Sequence, residues 1–126
     1  MYHLSITNCG LTSLGFGAFK RSAFWLDHLD LTSNSLTSID FGIDHLYHLL
    51  QLNLAHNRIA SLPPRAFFHN NELRRLNLSG NRLHDFPKEA FTGSAKLSTL
   101  DLSGNELSAK PDTSHMQWLG VSHCIQ

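Results

Sequence analysis

Histidine is the residue type in this sequence with the widest chemical scope, and nine of the 126 residues are histidines. Imidazole groups bind transition metals and change charge near neutral pH. His45 and His48 are close in sequence, whereas His3 and His28 become neighbours only if the chain folds back at a regular interval. No third metal ligand accompanies His3 and His28, apart from Asp30. We therefore predict surface histidines, no metal site and no cofactor.

Sequence strings that carry catalytic chemistry are absent. The chain contains no His-Glu-x-x-His, Cys-x-x-Cys, Gly-x-Ser-x-Gly or P-loop string. Those strings position a metal, a redox-active thiol pair, a nucleophilic serine or a nucleotide phosphate. Gly15 and Gly17 fit a turn instead of a phosphate-binding loop. We predict that the protein is not an enzyme and has no catalytic or cofactor-binding residues.

Charge and hydropathy argue against two further kinds of partner. Ten basic residues balance ten acidic ones, so the formal net charge is +0 at pH 7. A neutral chain provides no general electrostatic attraction to nucleic acid or to an anionic membrane. No apolar run reaches the roughly 18 residues of a bilayer span, and the N-terminal segment lacks the basic start and apolar core of a signal peptide. We predict neither nucleic-acid binding nor direct membrane contact.

One frame recurs along the whole chain: Leu-x-x-Leu-x-Leu-x-x-Asn-x-Leu-x-x-Leu. The asparagine position is called the slot below, and its occupants are Cys9, Asn34, Asn57, Asn81, Asn105 and Cys124. Cysteine thus replaces asparagine in the first and the last unit. The slots recur about every 24 residues, a spacing typical of repeat proteins. We predict a single repeat domain over residues 1–126 with five to six units.

Each unit has a strand half and a return half. Leu-x-Leu alternates with a period of two, which indicates a short strand with both leucines inward. We expect parallel strands on the concave side and a slot residue that ends each strand. Its side chain is expected to hydrogen-bond to backbone groups of neighbouring turns. A short helical or 3₁₀ turn should accompany the apolar anchor of the return half, which is Phe19, Ile43, Phe67 or Phe91.

The two cysteines are not expected to form a disulfide. Six units stacked at roughly 4.8 Å place Cys9 and Cys124 about 24 Å apart. A disulfide needs Cα atoms within about 7 Å of each other. We therefore predict two buried free thiols, one in each terminal slot.

The frame resembles the leucine-rich repeat family over essentially the whole chain. The strings Leu-Asn-Leu-Ser-Gly-Asn at 76–81 and Leu-Asp-Leu-Ser-Gly-Asn at 100–105 carry the resemblance most specifically. The unit length and the Ala-Phe pairs are similar to the typical 24-residue extracellular subclass, as in chaoptin-like adhesion proteins and Toll-like receptor ectodomains. The resemblance implies an α/β-type solenoid, a horseshoe segment with short parallel strands on the concave face and an irregular or 3₁₀ convex side. It carries over no catalytic residue.

Secreted members of this family usually carry cysteine-rich caps at both ends, and this chain has neither. Met1 already occupies the first leucine position of a unit, and the last unit stops shortly after Cys124. A solenoid without caps exposes apolar surface and unpaired strand edges. We therefore expect a fragment of a longer receptor or adhesion protein, which associates through its uncapped ends.

Outward strand positions define a candidate concave binding face. The third frame position is chemically varied, whereas the fifth and seventh are small and polar, so recognition is expected mainly in the third row. The candidate residues are His3, His28, Asp30, Gln51, Asn53, Arg75, Asn77, Thr99, Asp101 and Trp118.

Two further features of this face bear on a ligand. Arg74 and Arg75 lie two strands away from Asp27 and Asp30, which suggests an acidic-to-basic stripe that orients a protein ligand. Asn77 begins the sequon Asn-Leu-Ser and is a candidate N-glycosylation site. A glycan there would cover part of the concave face.

The resemblance implies a protein-binding role with a protein ligand. The leading hypothesis is a ligand-binding or adhesion segment of a cell-surface or secreted protein. One alternative is a segment of an innate-immune receptor ectodomain, and another is an intracellular scaffold or inhibitor built from the same repeats. The expected location is extracellular or at the cell surface, with the cytoplasm as the alternative.

Overall fold

The structure, a computed structural model, describes residues 2–15, 17–39 and 42–108. Five short strands form one parallel sheet in chain order. They are β1 (Tyr2–Ser5), β2 (Leu26–Asp30), β3 (Gln51–Asn53), β4 (Arg75–Asn77) and β5 (Thr99–Asp101). Each strand contains the first leucine of the Leu-x-Leu part of one frame, and the second apolar residue of that part directly follows the strand. The predicted solenoid of parallel strands is therefore confirmed.

Strand register follows the frame from one unit to the next. Leu29, Leu52, Leu76 and Leu100 pair in sequence across β2 to β5. Each of these four leucines is only 1% exposed. A shift of one residue in any strand would turn its leucine out to solvent, so burial of this row fixes the register. The sheet therefore presents the residues on either side of each leucine on its opposite face.

Apolar residues of both halves of each unit form one continuous core. The strand leucines pack with the return-half anchors Ile43, Phe67 and Phe91, which are at most 2% exposed. The rings of Phe67 and Phe91 stack with centroids 5.2 Å apart and planes inclined by 11°. Ile43 takes the same place in its unit, as predicted. Stacking of neighbouring units thus buries the apolar surface that a single unit would leave exposed to solvent.

The return halves contain turns and two short 3₁₀ segments, Lys20–Ser22 and Lys88–Phe91. The first follows Phe19 directly and the second ends at Phe91. Pro87 precedes the second segment in an extended conformation, which its fixed φ favours. The predicted irregular or 3₁₀ return side is confirmed.

A left-handed residue precedes the slot in every described unit. The residues and their φ angles are Asn8 (53°), Ser33 (60°), His56 (57°), Gly80 (67°) and Gly104 (67°). This conformation is costly for most residues with a Cβ atom and less costly for asparagine. It accounts for glycine in the Ser-Gly-Asn strings of the last two units. The chain therefore has strained backbone at Ser33 and His56.

Candidate binding site on the strand face

The outward third positions of the five strands form a straight row in register. His3 pairs with His28, and the row continues through Gln51 and Arg75 to Thr99. These residues line a groove of about 500 Å³ over the sheet. Trp118, the predicted sixth member, lies outside the described residues. The row is called the recognition row below.

The fifth-position residues beside this row are held by their own strand ends. Asp30 accepts a hydrogen bond from the backbone N–H of Thr32 at 2.9 Å, and the Thr32 hydroxyl donates to the same carboxylate oxygen. The side-chain oxygens of three further fifth-position residues accept the backbone N–H of the residue two positions later in the same way. These residues are Asn53, Asn77 and Asp101, with distances of 3.0, 2.9 and 2.9 Å. Short polar side chains that form a hydrogen bond with the backbone two residues later stabilise turns. One oxygen of each fifth-position side chain is therefore already occupied.

Sequence reasoning missed this role of the fifth row. The sequence signal is Asp or Asn at the fifth position, followed two residues later by Thr, Ala or Ser, but by itself this composition predicts only a small polar row. The structure shows that these side chains terminate the strands. The fifth-row side chains are accordingly less free to contact a ligand than the side chains of the recognition row.

His3 and His28 lie together at one end of the row. Their ring centroids are 4.1 Å apart, with planes inclined by 37°. Nδ1 of His28 is buried and has no hydrogen-bond partner. Burial, followed by the adjacent His3, lowers the pKa of His28 from its ordinary value; Asp27 opposes this shift and Arg75 adds to it. This environment therefore favours the neutral form of the His28 imidazole. The described residues contain no cluster of three or more potential metal ligands.

Arg75 contributes an uncompensated positive charge to the centre of the row. Two ion pairs are found among the described residues, His84 with Glu106 and Lys96 with Glu72, each at 2.8 Å. Arg75 is exposed and takes part in neither. The acidic-to-basic stripe that we predicted therefore contains no direct ion pair in the described part of the chain. The guanidinium group remains available to a carboxylate on a ligand.

Slot asparagines join each unit to the one before it. Nδ2 of Asn57 donates to the carbonyl of Leu54 in its own unit and to that of Leu31 in the preceding unit, both at 3.0 Å. Its Oδ1 accepts the N–H of Leu36 at 3.1 Å. The same pattern recurs at Asn34, Asn81 and Asn105. The slot side chains thus satisfy backbone groups where strands end and hold the recognition row in register.

Comparison with known proteins agrees with this architecture. The chain matches the family described as "Leucine rich repeat" in overlapping segments over residues 1–59, 25–83, 47–107 and 71–124.

This chain belongs to the leucine-rich repeat family.

A curated relative is a volume-regulated anion channel subunit, LRRC8D of Rattus norvegicus. It is 36% identical over 81 residues, which cover 56% of this chain and 9% of the channel subunit. This chain therefore spans only a small part of that relative's length.

Two solved structures share the fold. The leucine-rich repeat domain of APL1B superposes with a TM-score of 0.85 at 23% identity, covering 92% of this chain and 35% of that one. The Leptospira interrogans LRR protein LIC12759 has a TM-score of 0.80 at 28% identity, covering 91% of this chain and 29% of that one. This chain corresponds to about a third of each structure. Proteins with this fold are typically interaction scaffolds without enzymatic activity.

Cys9 departs from the predicted character of a slot residue in this repeat family. Its side chain is exposed, so the prediction of a buried thiol is wrong for Cys9. Its backbone N–H donates to Asn34 at 3.0 Å, whereas its Sγ turns to the carbonyl of Thr7 at 3.1 Å. Within the described chain no turn packs on the outer side of the first unit, which leaves this slot open. Cys124 lies outside the described residues.

A second set of inter-unit hydrogen bonds lies on the return side and was not predicted. Asn70, 1% exposed, donates to the carbonyls of Ile43 and Leu46, each at 3.1 Å. Ser94, 0% exposed, donates to the carbonyl of Phe67 at 2.8 Å. Both residues stand three positions after the phenylalanine anchor of their unit, which is the sequence signal that would have identified them.

Asn77, the sequon residue, lies half-buried in β4. Its Oδ1 accepts the N–H of Ser79, so its side chain is already oriented by the sequon itself. Among the described residues, no helix has the length and apolarity needed to cross a bilayer.

Proposed function

We propose that this leucine-rich repeat chain is a protein-interaction module that binds its ligand on the strand face. The observation that carries this proposal is the recognition row: five chemically varied side chains in register over a groove of about 500 Å³. The leucines below the row are packed in the core, and the fifth row is tied to strand ends. Differences in ligand specificity would therefore arise from the recognition row.

The parent role we favour is ligand binding or adhesion by a cell-surface or secreted protein, with residues 1–126 as one domain of five to six repeats. The typical-subclass spacing and the Ala-Phe anchors support this choice. The alternatives are an innate-immune receptor ectodomain and an intracellular scaffold or inhibitor. No residue in the recognition row is arranged as a nucleophile with a base, which supports a role in binding over catalysis.

A second candidate function comes from the curated relative. The rat protein is a subunit of a volume-regulated anion channel, and 36% identity over 81 residues relates its repeats to these. On this reading the chain is a repeat segment of a membrane channel subunit, and it binds another protein of that assembly.

A screen of the purified chain against arrayed extracellular proteins and arrayed cytosolic proteins tests the leading proposal. Arg75→Glu reverses the central charge of the recognition row, and Arg82→Glu is the matched control because Arg82 is exposed and lies beyond the strand. We expect an extracellular partner whose affinity falls at least about tenfold with Arg75→Glu and stays within twofold with Arg82→Glu, the range of an interface hot spot. Equal effects of the two variants would refute binding at the strand face. A partner found only in the cytosolic array would favour the intracellular alternative.

We further propose that Asn77 carries an N-linked glycan when the chain is secreted, and peptide mapping of material from a mammalian culture medium tests it. An unmodified Asn77 in fully secreted protein would contradict this proposal.

A further inference from the structure

Large hydrophobic side chains are exposed on one edge of the solenoid. Among the described residues the exposed large hydrophobic side chains are Tyr2 (59%), Phe24 (76%), Trp25 (60%), Tyr47 (43%) and Phe68 (37%). All but Tyr2 lie in the turns that lead from the return side to the next strand. Together these five residues are called the aromatic edge.

The aromatic edge is continuous across three units. Its rings meet one another or intervening histidines: Tyr2 with Trp25 at 6.0 Å, Phe24 with His48 at 6.3 Å, Tyr47 with His69 at 6.0 Å and Phe68 with His69 at 5.2 Å between centroids. Scattered apolar residues are normal on a protein surface, but contiguous apolar patches mark interaction sites. Aromatic residues are also enriched at the centres of protein interfaces.

The aromatic edge ends where the equivalent turns of later units carry charged residues. The turn that contains Phe68 already holds Glu72 before its strand, and the corresponding position of the next unit holds Lys96; these two residues form an exposed ion pair at 2.8 Å. The repeat frame itself therefore does not require aromatic residues at these positions. Their restriction to the first three units is a property of this sequence.

Hollows at both ends of the edge offer room for partner side chains. One, of about 390 Å³, lies between Tyr2 and Trp25 and reaches Leu26 at the start of β2. The other, of about 320 Å³, lies beside Phe68 and is bounded by Pro63 and Pro64. Buried aromatic or aliphatic anchors that fill such pockets supply most of the binding energy of protein interfaces.

Basic residues near the aromatic edge have no ion-pair partner among the described residues, whereas two of the nearby acidic residues are engaged. Arg65 holds its guanidinium carbon 5.2 Å from the centre of the Phe68 ring and forms no ion pair with a described residue. Lys20 and Arg21, in the 3₁₀ segment before Phe24, likewise have no ion-pair partner in the described ranges. Two of the nearby carboxylates are engaged: Asp27 accepts the N–H of Tyr2 at 3.4 Å, and Glu72 pairs with Lys96. Asp44 borders the second hollow with Arg65.

We propose that the aromatic edge is a second docking surface, which binds a protein segment whose aliphatic or aromatic side chains are flanked by acidic residues. The apolar anchors would fill the two hollows, and the acidic residues would face Arg65, Lys20 and Arg21. His3 lines the first hollow as well as the groove, whereas the second hollow contains no residue of the recognition row. A partner bound on the edge would therefore leave most of the recognition row open to a second partner.

Selection from a random twelve-residue peptide display library against the full chain tests this proposal. We expect enrichment of peptides that combine aromatic or aliphatic residues with Asp or Glu. Synthetic versions of these peptides should lose at least about tenfold in affinity with the double variant Phe24→Ser, Tyr47→Ser, as expected for interface hot spots. Both substituted side chains are exposed, and an unchanged circular dichroism melting curve would verify the fold.

Charge reversal provides a second, independent variant. Arg65→Glu should weaken the acidic peptides at least about tenfold, whereas the strand-face variant Arg75→Glu should change their affinity less than twofold. Loss of peptide binding with Arg75→Glu alone would assign the peptides to the recognition row and overturn the second surface. Enrichment of basic peptides, or no enrichment over a selection without protein, would also overturn it. So would sedimentation with phosphatidylserine vesicles that the double variant abolishes, because the edge would then be a membrane contact.

Discussion

Removal of a single slot side chain measures how strongly the units of this solenoid depend on one another. Asn57 is 6% exposed and lies between the second and third units. In Asn57→Ala the buried N–H of Leu36 loses its acceptor, and the carbonyls of Leu31 and Leu54 each lose one donor. Those two carbonyls keep a second donor, from Asn34 and Asn81 respectively.

The magnitude follows from this distribution of bonds. An orphaned buried N–H costs about 1–3 kcal/mol, and each of the two weakened carbonyls costs roughly 0.5 kcal/mol because one hydrogen bond remains. We therefore expect Asn57→Ala to lower the free energy of unfolding by about 2–4 kcal/mol. Urea titration followed by circular dichroism measures this change, with the same slope for both proteins if the native surface is unchanged.

Asn71→Ala is the matched control, because Asn71 is exposed and its amide also donates to backbone carbonyls, those of Phe68 at 3.4 Å and Gly93 at 3.2 Å. Exposed groups regain these bonds with water, so this variant should lose less than about 1 kcal/mol. A loss at Asn57 that is no larger than the loss at Asn71 would refute the reasoning that slot asparagines hold the units together.

Four further predictions concern other parts of the scaffold. His56→Gly should stabilise the chain by about 1 kcal/mol in thermal denaturation by relieving a left-handed residue; Gly80→Ala should destabilise it, because the new Cβ would lie 2.5 Å from Nδ1 of His56. Ser94→Ala should cost only about 0.5–1 kcal/mol in urea titration, because the carbonyl of Phe67 loses one of two donors and keeps the N–H of Asn70 at 3.1 Å; a loss as large as that of Asn57→Ala would contradict this expectation. The lowered pKa of His28 means that the unfolded chain binds more protons as the pH falls below its ordinary value of 6.5, so wild type should lose stability relative to His28→Gln between pH 7.5 and pH 5. An unchanged difference between the two proteins would contradict that pKa shift.

Much of the fold is visible in the sequence because its determinants repeat. A leucine such as Leu52 or Leu76 must point inward in every unit, and the two-residue period of a strand then fixes its neighbours on the opposite face. The slot residue follows at a constant distance. Sequence therefore predicts the strands, their parallel order and the position of the recognition row.

Features that depend on contacts between units were harder to predict. The return halves vary in length and composition, so the alignment that places Asn70 beneath Ile43, or Ser94 beneath Phe67, does not follow from the leucine frame. Exposure of Cys9 depends on what packs outside its unit, which the frame does not specify. The aromatic edge was missed for the same reason, because isolated residues such as Phe24 become a patch only when neighbouring turns are stacked.

Blocking the strand face chemically tests the central claim most directly. A single cysteine is introduced at Thr99, in the recognition row, or at Thr92, which is exposed on the return side, in a background where Cys9 and Cys124 are serine. Each protein is labelled with a bulky maleimide, and its affinity for a partner found in the array is measured by surface plasmon resonance. The proposed function predicts at least about tenfold weaker binding for the Thr99 label and less than twofold change for the Thr92 label. Unchanged binding with Thr99 labelled, or loss only with Thr92 labelled, would contradict recognition on the strand face.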